Sequence, residues 1–145
     1  MSRYKIILIV AVLVLIAGAI YIYKEYHRTN KNINKEASAF NLSAIELVRS
    51  FTENDSLASR LYVGKIISVN GLVRNLDKDN RGYYTVSLGD TASMSSVKCS
   101  VDSLYTIAAS ALKPGVSINI KGNCTGFNKD ELLGLDVMLN RCVIK

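Results

Sequence analysis

Three cysteines, Cys99, Cys124 and Cys142, are the residues of this 145-residue chain with the most distinctive chemistry. They form no C-x-x-C pair, and three sulfurs without a nearby histidine make a poor zinc site. The single histidine, His27, directly follows a long apolar run, so it cannot activate a serine or cysteine in a domain further along. The sequence also shows no paired catalytic carboxylates and no glycine-rich phosphate loop. It therefore predicts a protein that is not an enzyme and uses no metal or cofactor.

The segment Asp77–Gly82 (Asp-Lys-Asp-Asn-Arg-Gly) has the acidic spacing with which a calcium loop begins. Arg81 stands at the fifth position, where a ligand is needed, and Leu88 takes the place of the closing glutamate. The residues therefore favour a polar hairpin turn over a calcium site.

The segment from Ile6 to Tyr23 consists of uncharged and mostly aliphatic residues, with Lys5 and Lys24 at its two ends. A helix of this length spans roughly 27 Å at about 1.5 Å per residue, close to the thickness of the hydrocarbon core of a bilayer. Tyrosines at both ends are typical of an aromatic belt. We therefore predict a basic tail at residues 1–5, a transmembrane signal anchor at 6–23, a polar tether at 24–41 and a folded domain at 42–145.

A cleaved signal peptide is the alternative interpretation, because Ala17-Gly18-Ala19 has the small-residue pattern of a cleavage site after a basic start. Cleavage after Ala19 would leave the apolar residues 20–23 at the new N-terminus. The apolar run continues past the site, which favours an uncleaved anchor.

The net charge of +6 lies mostly around the apolar run. Residues 1–35 hold six Lys or Arg and one Glu, whereas residues 36–145 hold twelve Lys or Arg and eleven Asp or Glu. The more basic C-terminal flank would keep the domain in the cytoplasm under the positive-inside rule. A short basic tail before an apolar run is, however, how a signal anchor begins. We therefore expect a single-pass protein of the bacterial inner membrane with its domain in the periplasm.

Ser43 and Glu46 match a capping box, which predicts that a helix begins at Ser43 with Ile45, Val48 and Phe51 on its buried face. A second helical segment is predicted at Asp55–Leu61, and a short one at Leu104–Leu112.

Alternation with period two predicts three strands, then two more at residues 116–124 and 135–144. The inward positions of the first three strands are Ile67, Val69, Gly71 and Val73, then Tyr84, Val86 and Leu88, then Val97, Cys99 and Val101. Three strands, a helix and two strands is the order of the OB-fold. The predicted fold is mainly β: a five-stranded Greek-key barrel with an N-terminal helix and a helix between strands three and four. Gly71 would let the long first strand bend between the two halves of the barrel.

The barrel order restricts the pairing of the cysteines, because the fifth strand lies between the third and the fourth. Cys142 can then neighbour Cys99, whereas Cys124 would lie about 20 Å from Cys142, beyond the roughly 7 Å Cα limit for a disulfide. We predict a Cys99–Cys142 disulfide and a free Cys124. The alternative is that all three are small buried hydrophobic residues in a reducing compartment.

The chain also resembles a family of bacterial tRNA-anti-like OB-fold proteins, common in Bacteroidetes and often found behind an N-terminal membrane segment. The resemblance covers about residues 41–145. Its carriers are Tyr62–Lys65 with Val69–Gly71, Val97–Cys99, Lys121–Phe127 and Asp136–Ile144. The resemblance implies an OB-fold, no catalytic residues and no demonstrated tRNA binding. The loop Asn128–Leu135 is longer than is usual in the family.

OB-folds bind ligands on the face of strands two and three. The best candidates for binding here are Arg74, Tyr83, Lys98 and Phe127. Two cations and two aromatic residues are few for nucleic-acid binding by a domain of nearly zero net charge. The sequence therefore favours a membrane-tethered module that binds an envelope protein, a peptide or a saccharide. The alternative is a domain that faces the cytoplasm and binds single-stranded nucleic acid.

Overall fold

The computed structural model describes residues 3–26 and 33–145, so His27 lies outside the described residues. The chain divides into two compact units, residues 1–31 and residues 32–145.

Helix α1, Arg3–Tyr26, makes up the first unit and contains the apolar run. Its residues Arg3–Tyr23 have a mean hydropathy of 3.0. Large aliphatic side chains such as Leu8, Leu13 and Ile20 are more than half exposed. By length and composition α1 is suited to cross a membrane.

The second unit contains three more α-helices, a 3₁₀ turn and six strands. In chain order they are β1 (Phe40–Ser43), α2 (Ala44–Glu53), α3 (Asp55–Tyr62), β2 (Ile66–Lys78), β3 (Tyr84–Leu88), β4 (Ser96–Val101), the 3₁₀ turn Ser103–Tyr105, α4 (Thr106–Ser110), β5 (Ser117–Asp130) and β6 (Gly134–Ile144).

The strands form one sheet in the order β1-β2-β3-β4-β6-β5, and a further pairing of β5 with β2 closes it into a barrel. Strand β6 lies between β4 and β5 and runs parallel to β4, as the OB-fold requires. The predicted fold class is therefore confirmed. The short strand β1, which pairs in parallel with Ile67–Asn70, was not predicted.

Strand β2 takes part in both halves of the barrel. Ile66–Leu72 pairs with β5, and Val73–Lys78 pairs with β3. The pairing with β3 contains a bulge between Val73 and Asn75. A Cβ atom at Gly71 would lie 2.9 Å from the Cβ of Ala44. Gly71 therefore allows α2 to approach β2 closely, while the bulge at Arg74 accompanies the change of partner.

Helix α2 begins with the predicted capping box. The Glu46 amide donates to the Ser43 hydroxyl at 3.2 Å, and the Ser43 amide donates to the Glu46 carboxylate at 2.8 Å. The Ser43 hydroxyl also donates to this carboxylate at 2.8 Å. The bond from the Ser43 amide first, and that from its hydroxyl second, lower the pKa of Glu46.

The predicted buried face of α2 needs one correction. Ala44, Leu47 and Phe51 are buried, whereas Ile45 is 55% exposed. Positions 44, 47 and 51 share one helical face, and Ile45 is turned about 100° away from Ala44. The small Ala44, and not Ile45, meets the barrel.

Of the inward residues predicted for β3 and β4, Val86, Leu88, Val97, Cys99 and Val101 are buried. Tyr84, the sixth, is partly buried against the core. The helical segment after β4 is shorter than predicted. It is the 3₁₀ turn followed by the five residues of α4, with Ala109 buried.

The β5–β6 hairpin is longer than predicted. Strand β5 continues past Cys124 to Asp130, so the expected long loop is a tight turn. The Asp130 carboxylate accepts the amides of Leu132 and Leu133 at 2.8 and 2.9 Å. Asn128, Lys129 and Asp130 are all polar and exposed, so this part of the strand lacks the alternation that predicts strands.

Residues 33–41, predicted as part of the tether, belong to the second unit. Ile33 is buried, and the ammonium group of Lys121 donates to the carbonyls of Asn34, at 3.2 Å, and Glu36. Burial is the main cause that lowers the pKa of Lys121; Lys145 also lowers it and Glu36 opposes the shift. The polar composition of residues 33–41 does not predict this attachment, because Lys121 binds their backbone carbonyls and not their side chains.

Candidate binding face of the barrel

The outward side of β3, β4 and β6 continues onto β2 and forms a largely polar surface, which we call the outer sheet face. Asn75 lies opposite Ser87, Ser87 opposite Lys98, and Lys98 opposite Met138, so one row of side chains crosses four strands. The outer sheet face comprises eight residues, of which Ser87 and Ser96 are buried beneath their neighbours. They are Asn75, Thr85, Ser87, Ser96, Lys98, Ser100, Asp136 and Met138. Small hydroxyl groups predominate, and none of the eight is aromatic.

Lys98 is paired within this face. Its ammonium nitrogen lies 2.8 Å from Oδ2 of Asp136, and Oδ1 of Asp136 accepts the hydroxyl of Ser96 at 2.6 Å. The parallel register of β4 and β6 brings these residues together, because Ser96 lies opposite Asp136. Asp136 therefore neutralises Lys98 and fixes its position.

Arg74 lies at the β2 bulge, between the outer sheet face and the β3–β4 loop. Its Nη1 donates to the carbonyl oxygen of Ser95 at 3.2 Å. The guanidinium is half-buried and holds the end of this loop against β2.

Tyr83 is half exposed at the start of β3. Its amide donates to the Asp79 carboxylate at 2.9 Å, and the same carboxylate accepts the Arg81 amide at 2.8 Å. The segment Asp77–Gly82 is thus a hairpin turn in which Asp79 binds its own backbone.

Phe127 does not lie on the outer sheet face. It lies opposite the buried Val137, and its ring centroid is 5.1 Å from that of Phe51 in α2. Of the four predicted binding residues, the structure places Arg74, Tyr83 and Lys98 around the outer sheet face and Phe127 against the core.

Sequence reasoning missed Asp136, which determines what Lys98 can bind. The parallel pairing of strands three and five in an OB-fold was the available signal, since it aligns Ser96–Cys99 with Asp136–Leu139. Only the exact register shows that the acidic residue reaches the lysine.

The three cysteines are all buried thiols. Burial first, and the neighbouring thiol of Cys99 second, hold the pKa of Cys142 well above its usual range. Burial also raises the pKa of Cys124, which lies on β5 opposite Leu139. The disulfide predicted between Cys99 and Cys142 stays a prediction.

A cavity of about 340 Å³ opens between the start of α2 and strand β2. Ile45, Gly71 and Leu72 contribute its apolar lining, and Asp90 lies at its edge. Ile45 was predicted as a core residue, so this cavity was not predicted.

The barrel closure, the parallel β4–β6 pair and the position of the helices define an OB-fold domain. The chain belongs to the tRNA_anti-like family, whose family model matches residues 1–143. No match was found among curated proteins.

Several solved structures are similar to this chain. A lipoprotein of Klebsiella pneumoniae subsp. pneumoniae, to which nucleic-acid binding has been ascribed, is 20% identical over 72% of this chain and 90% of its own, with a TM-score of 0.56. An OBody bound to hen egg-white lysozyme is 16% identical over 57% of this chain and 82% of its own, with a TM-score of 0.43. Asparaginyl-tRNA synthetase of Pyrococcus horikoshii is 17% identical over 57% of this chain and 20% of its own, with a TM-score of 0.39.

Proposed function

We propose that this chain is a single-pass membrane protein that holds its OB-fold domain outside the cytoplasm, where the outer sheet face binds a protein or peptide. The observation that carries this proposal is the Lys98–Asp136 pair at 2.8 Å, which offsets the charge of one of the two predicted cations on the surface where OB-folds bind their ligands.

Binding of single-stranded nucleic acid depends on unpaired cations along the backbone path and on aromatic side chains that stack with bases. Here Lys98 is paired, Arg74 donates to the Ser95 carbonyl, and Phe127 packs against Phe51. Tyr83 alone of the predicted residues remains available for stacking. Saccharide binding also relies on exposed aromatic rings, and of the predicted residues only Tyr83 provides one, because Phe127 packs against Phe51.

Apolar side chains beside the outer sheet face favour a protein partner. Met94, Leu132 and Leu133 are 70%, 82% and 70% exposed. They lie on two adjacent loops, because a Cβ at Gly134 would come within 3.1 Å of the Met94 backbone. Exposed apolar residues beside a polar surface are typical of protein interfaces.

The membrane part of the proposal rests on α1 and its flanks. The helix is long and apolar enough to span a bilayer, and basic residues stand at both ends of its apolar run. A signal anchor at residues 6–23 would leave the barrel attached to the outer surface of the inner membrane.

A nucleic-acid ligand is the second candidate, and the Klebsiella lipoprotein with the same fold is the observation that favours it. That function requires a domain in the cytoplasm or a source of nucleic acid outside it. It also requires Lys98 to leave Asp136 when the ligand binds.

The test is site-specific photo-cross-linking of the full chain in intact cells. A photoreactive amino acid replaces Ser100 or Met138 on the outer sheet face, and Arg60, an exposed residue of α3, serves as the control position. We expect adducts at Ser100 and Met138 that protease removes and nuclease does not, with none at Arg60. Nuclease-sensitive adducts would support the second candidate, and equal adducts at all three positions would contradict a specific face.

A C-terminal tag gives an independent reading of topology. An impermeant reagent should reach the tag once the outer membrane is opened. Labelling only after the inner membrane is breached would contradict the proposed location.

A further inference from the structure

We propose that Cys99 and Cys142 are a site of oxidative cross-linking, closed to a disulfide between β4 and β6 by a disulfide-bearing oxidant of the cell envelope. The cellular setting of this inference rests on the proposed location outside the cytoplasm.

The two thiols lie on neighbouring strands inside the barrel. Cys99 on β4 and Cys142 on β6 are fully buried, and both belong to the hydrophobic core. Strand β6 separates Cys124 from Cys99, because the strand order is β4-β6-β5. Cys124 lies opposite Leu139, three residues from Cys142 along β6, so it is nearer to Cys142 than the predicted distance of about 20 Å. Cys142 therefore has a cysteine on each neighbouring strand, and Cys99 is the one that raises the pKa of its thiol.

Gly122 provides the space in which the Cys142 sulfur lies. A Cβ atom at this position of β5 would be 2.6 Å from Sγ of Cys142. The absence of a side chain on β5 thus lets Cys142 occupy the barrel interior beside Cys99. A larger residue would force the sulfur away.

The backbone at the pair is irregular, and this irregularity matters for closure. Cys99 lies opposite Leu139 and Cys142 opposite Val101, so the two cysteines are one row out of register. A regular ladder would put their Cα atoms about 8 Å apart, against a limit near 7 Å. The register shifts between Cys99 and Val101, and Arg141 there has a φ of 54°. We infer that a small adjustment at this bulge brings the Cα atoms within range.

The reaction is thiol–disulfide exchange in two steps. One cysteine thiolate attacks the disulfide of the oxidant, forms a mixed disulfide and displaces one thiol of the oxidant. The second cysteine thiolate then attacks the first cysteine's sulfur and displaces the other thiol. The two cysteines lose two electrons and two protons in total, and the oxidant disulfide gains them as two thiols.

Burial determines when this exchange can occur. The thiolate is the nucleophile, and burial raises the pKa of Cys142, so the folded barrel presents little thiolate to an oxidant. Closure therefore belongs to folding after export, before the barrel excludes the oxidant. Once folded in the reduced form, the pair should oxidise slowly.

The experiment uses the full chain with Cys124→Ser, expressed in its membrane, quenched in acid, denatured and alkylated with a large maleimide. We expect no label without reductant and two labels per chain after reduction. A matched variant, Cys142→Ser, keeps Cys99 and Cys124 and should take two labels without reductant. Two labels on the Cys124→Ser chain, with its C-terminal tag shown outside the cytoplasm, would overturn the cross-link and leave the proposed location intact.

A second arm covers a domain found in the cytoplasm. The purified full chain with Cys124→Ser is unfolded and refolded with glutathione disulfide in place of the cellular oxidant. Loss of both labels, with one intramolecular bond shown by peptide mapping, would support the pair even if the proposed location fails. Retention of both labels, or formation of dimers alone, would contradict it.

Discussion

Successive residues of β3, β4 and β6 face alternately the inner and the outer surface of the barrel, and the two surfaces are stabilised in different ways. Val86, Val97 and Leu139 point inward and are completely buried. Their sequence neighbours Ser87, Lys98 and Met138 form a row on the opposite side of the sheet, where Ser87 is buried and Lys98 and Met138 are partly exposed. The inner surface is held by packing, whereas the outer one is held by hydrogen bonds and an ion pair. The comparison indicates that barrel stability depends mainly on the packing of the inner surface. Under the proposed function, the pairing of the outer charges would determine which ligand binds.

The largest difference between the two surfaces is expected when adjacent residues that face opposite sides of the sheet are each replaced by alanine. Leu139→Ala should lower the free energy of unfolding by about 2–5 kcal/mol, because it leaves a cavity in the core. Met138→Ala on the outside should change it by less than about 0.5 kcal/mol. Denaturant unfolding of the detergent-solubilised chain measures both. Equal losses would show that the outer face also contributes to packing.

A smaller loss is expected at the place where β5 approaches Cys142. Gly122→Ala puts a Cβ against the sulfur, so it should cost about 1–3 kcal/mol in unfolding free energy. The double variant with Cys142→Ala should recover part of this loss, since it removes the closest atom. No recovery would mean that the contacts with Asn140 and Leu139, both at 3.3 Å, dominate.

Lys121 gives an intermediate effect with a pH signature. Lys121→Met removes the donor to two backbone carbonyls and should cost about 1–3 kcal/mol near neutral pH. The folded-state pKa of Lys121 lies below its usual value, so between the two the unfolded chain binds more protons. Stability of the parent chain should therefore rise with pH through that range, relative to Lys121→Met. Parallel pH profiles for the two chains would contradict the buried ammonium group.

The smallest effect on stability, and the most informative about ligands, is expected from Asp136→Asn. Loss of a partly exposed ion pair should cost under about 1 kcal/mol. It also frees Lys98, so weak oligonucleotide binding at low salt should strengthen, with a salt slope steeper by about 0.7. Asp77→Asn is the matched control, because it removes the same charge without contacting Lys98. An equal gain in the control would point to net charge alone.

The sequence was sufficient for the interior of the barrel because alternation reports burial directly. Val86, Leu88, Val97 and Cys99 follow period two, and the capping box at Ser43 marks the helix start. Strand β1 and the end of β5 were not predicted. Strand β1 is only four residues long, too short to show alternation, and the end of β5 carries polar residues on both faces.

The candidate site was less predictable, since it depends on contacts between distant segments. Arg74 and Lys98 lie around the outer sheet face, as their outward positions predicted, but their partners Ser95 and Asp136 follow only from the strand register. Phe127 was predicted to bind ligand at the rim of the barrel, because no local sequence pattern shows that it packs against Phe51. Composition likewise could not show that Lys121 attaches residues 34 and 36 to the barrel.

The most direct test of the central claim is an oligonucleotide titration of the full chain in lipid nanodiscs, over a range of salt that includes roughly 0.15 M. The paired outer face predicts no saturable binding at that salt, for the parent chain and for Lys98→Ala alike. Saturable binding that Lys98→Ala or Arg74→Ala weakens would contradict it and assign the outer sheet face to nucleic acid.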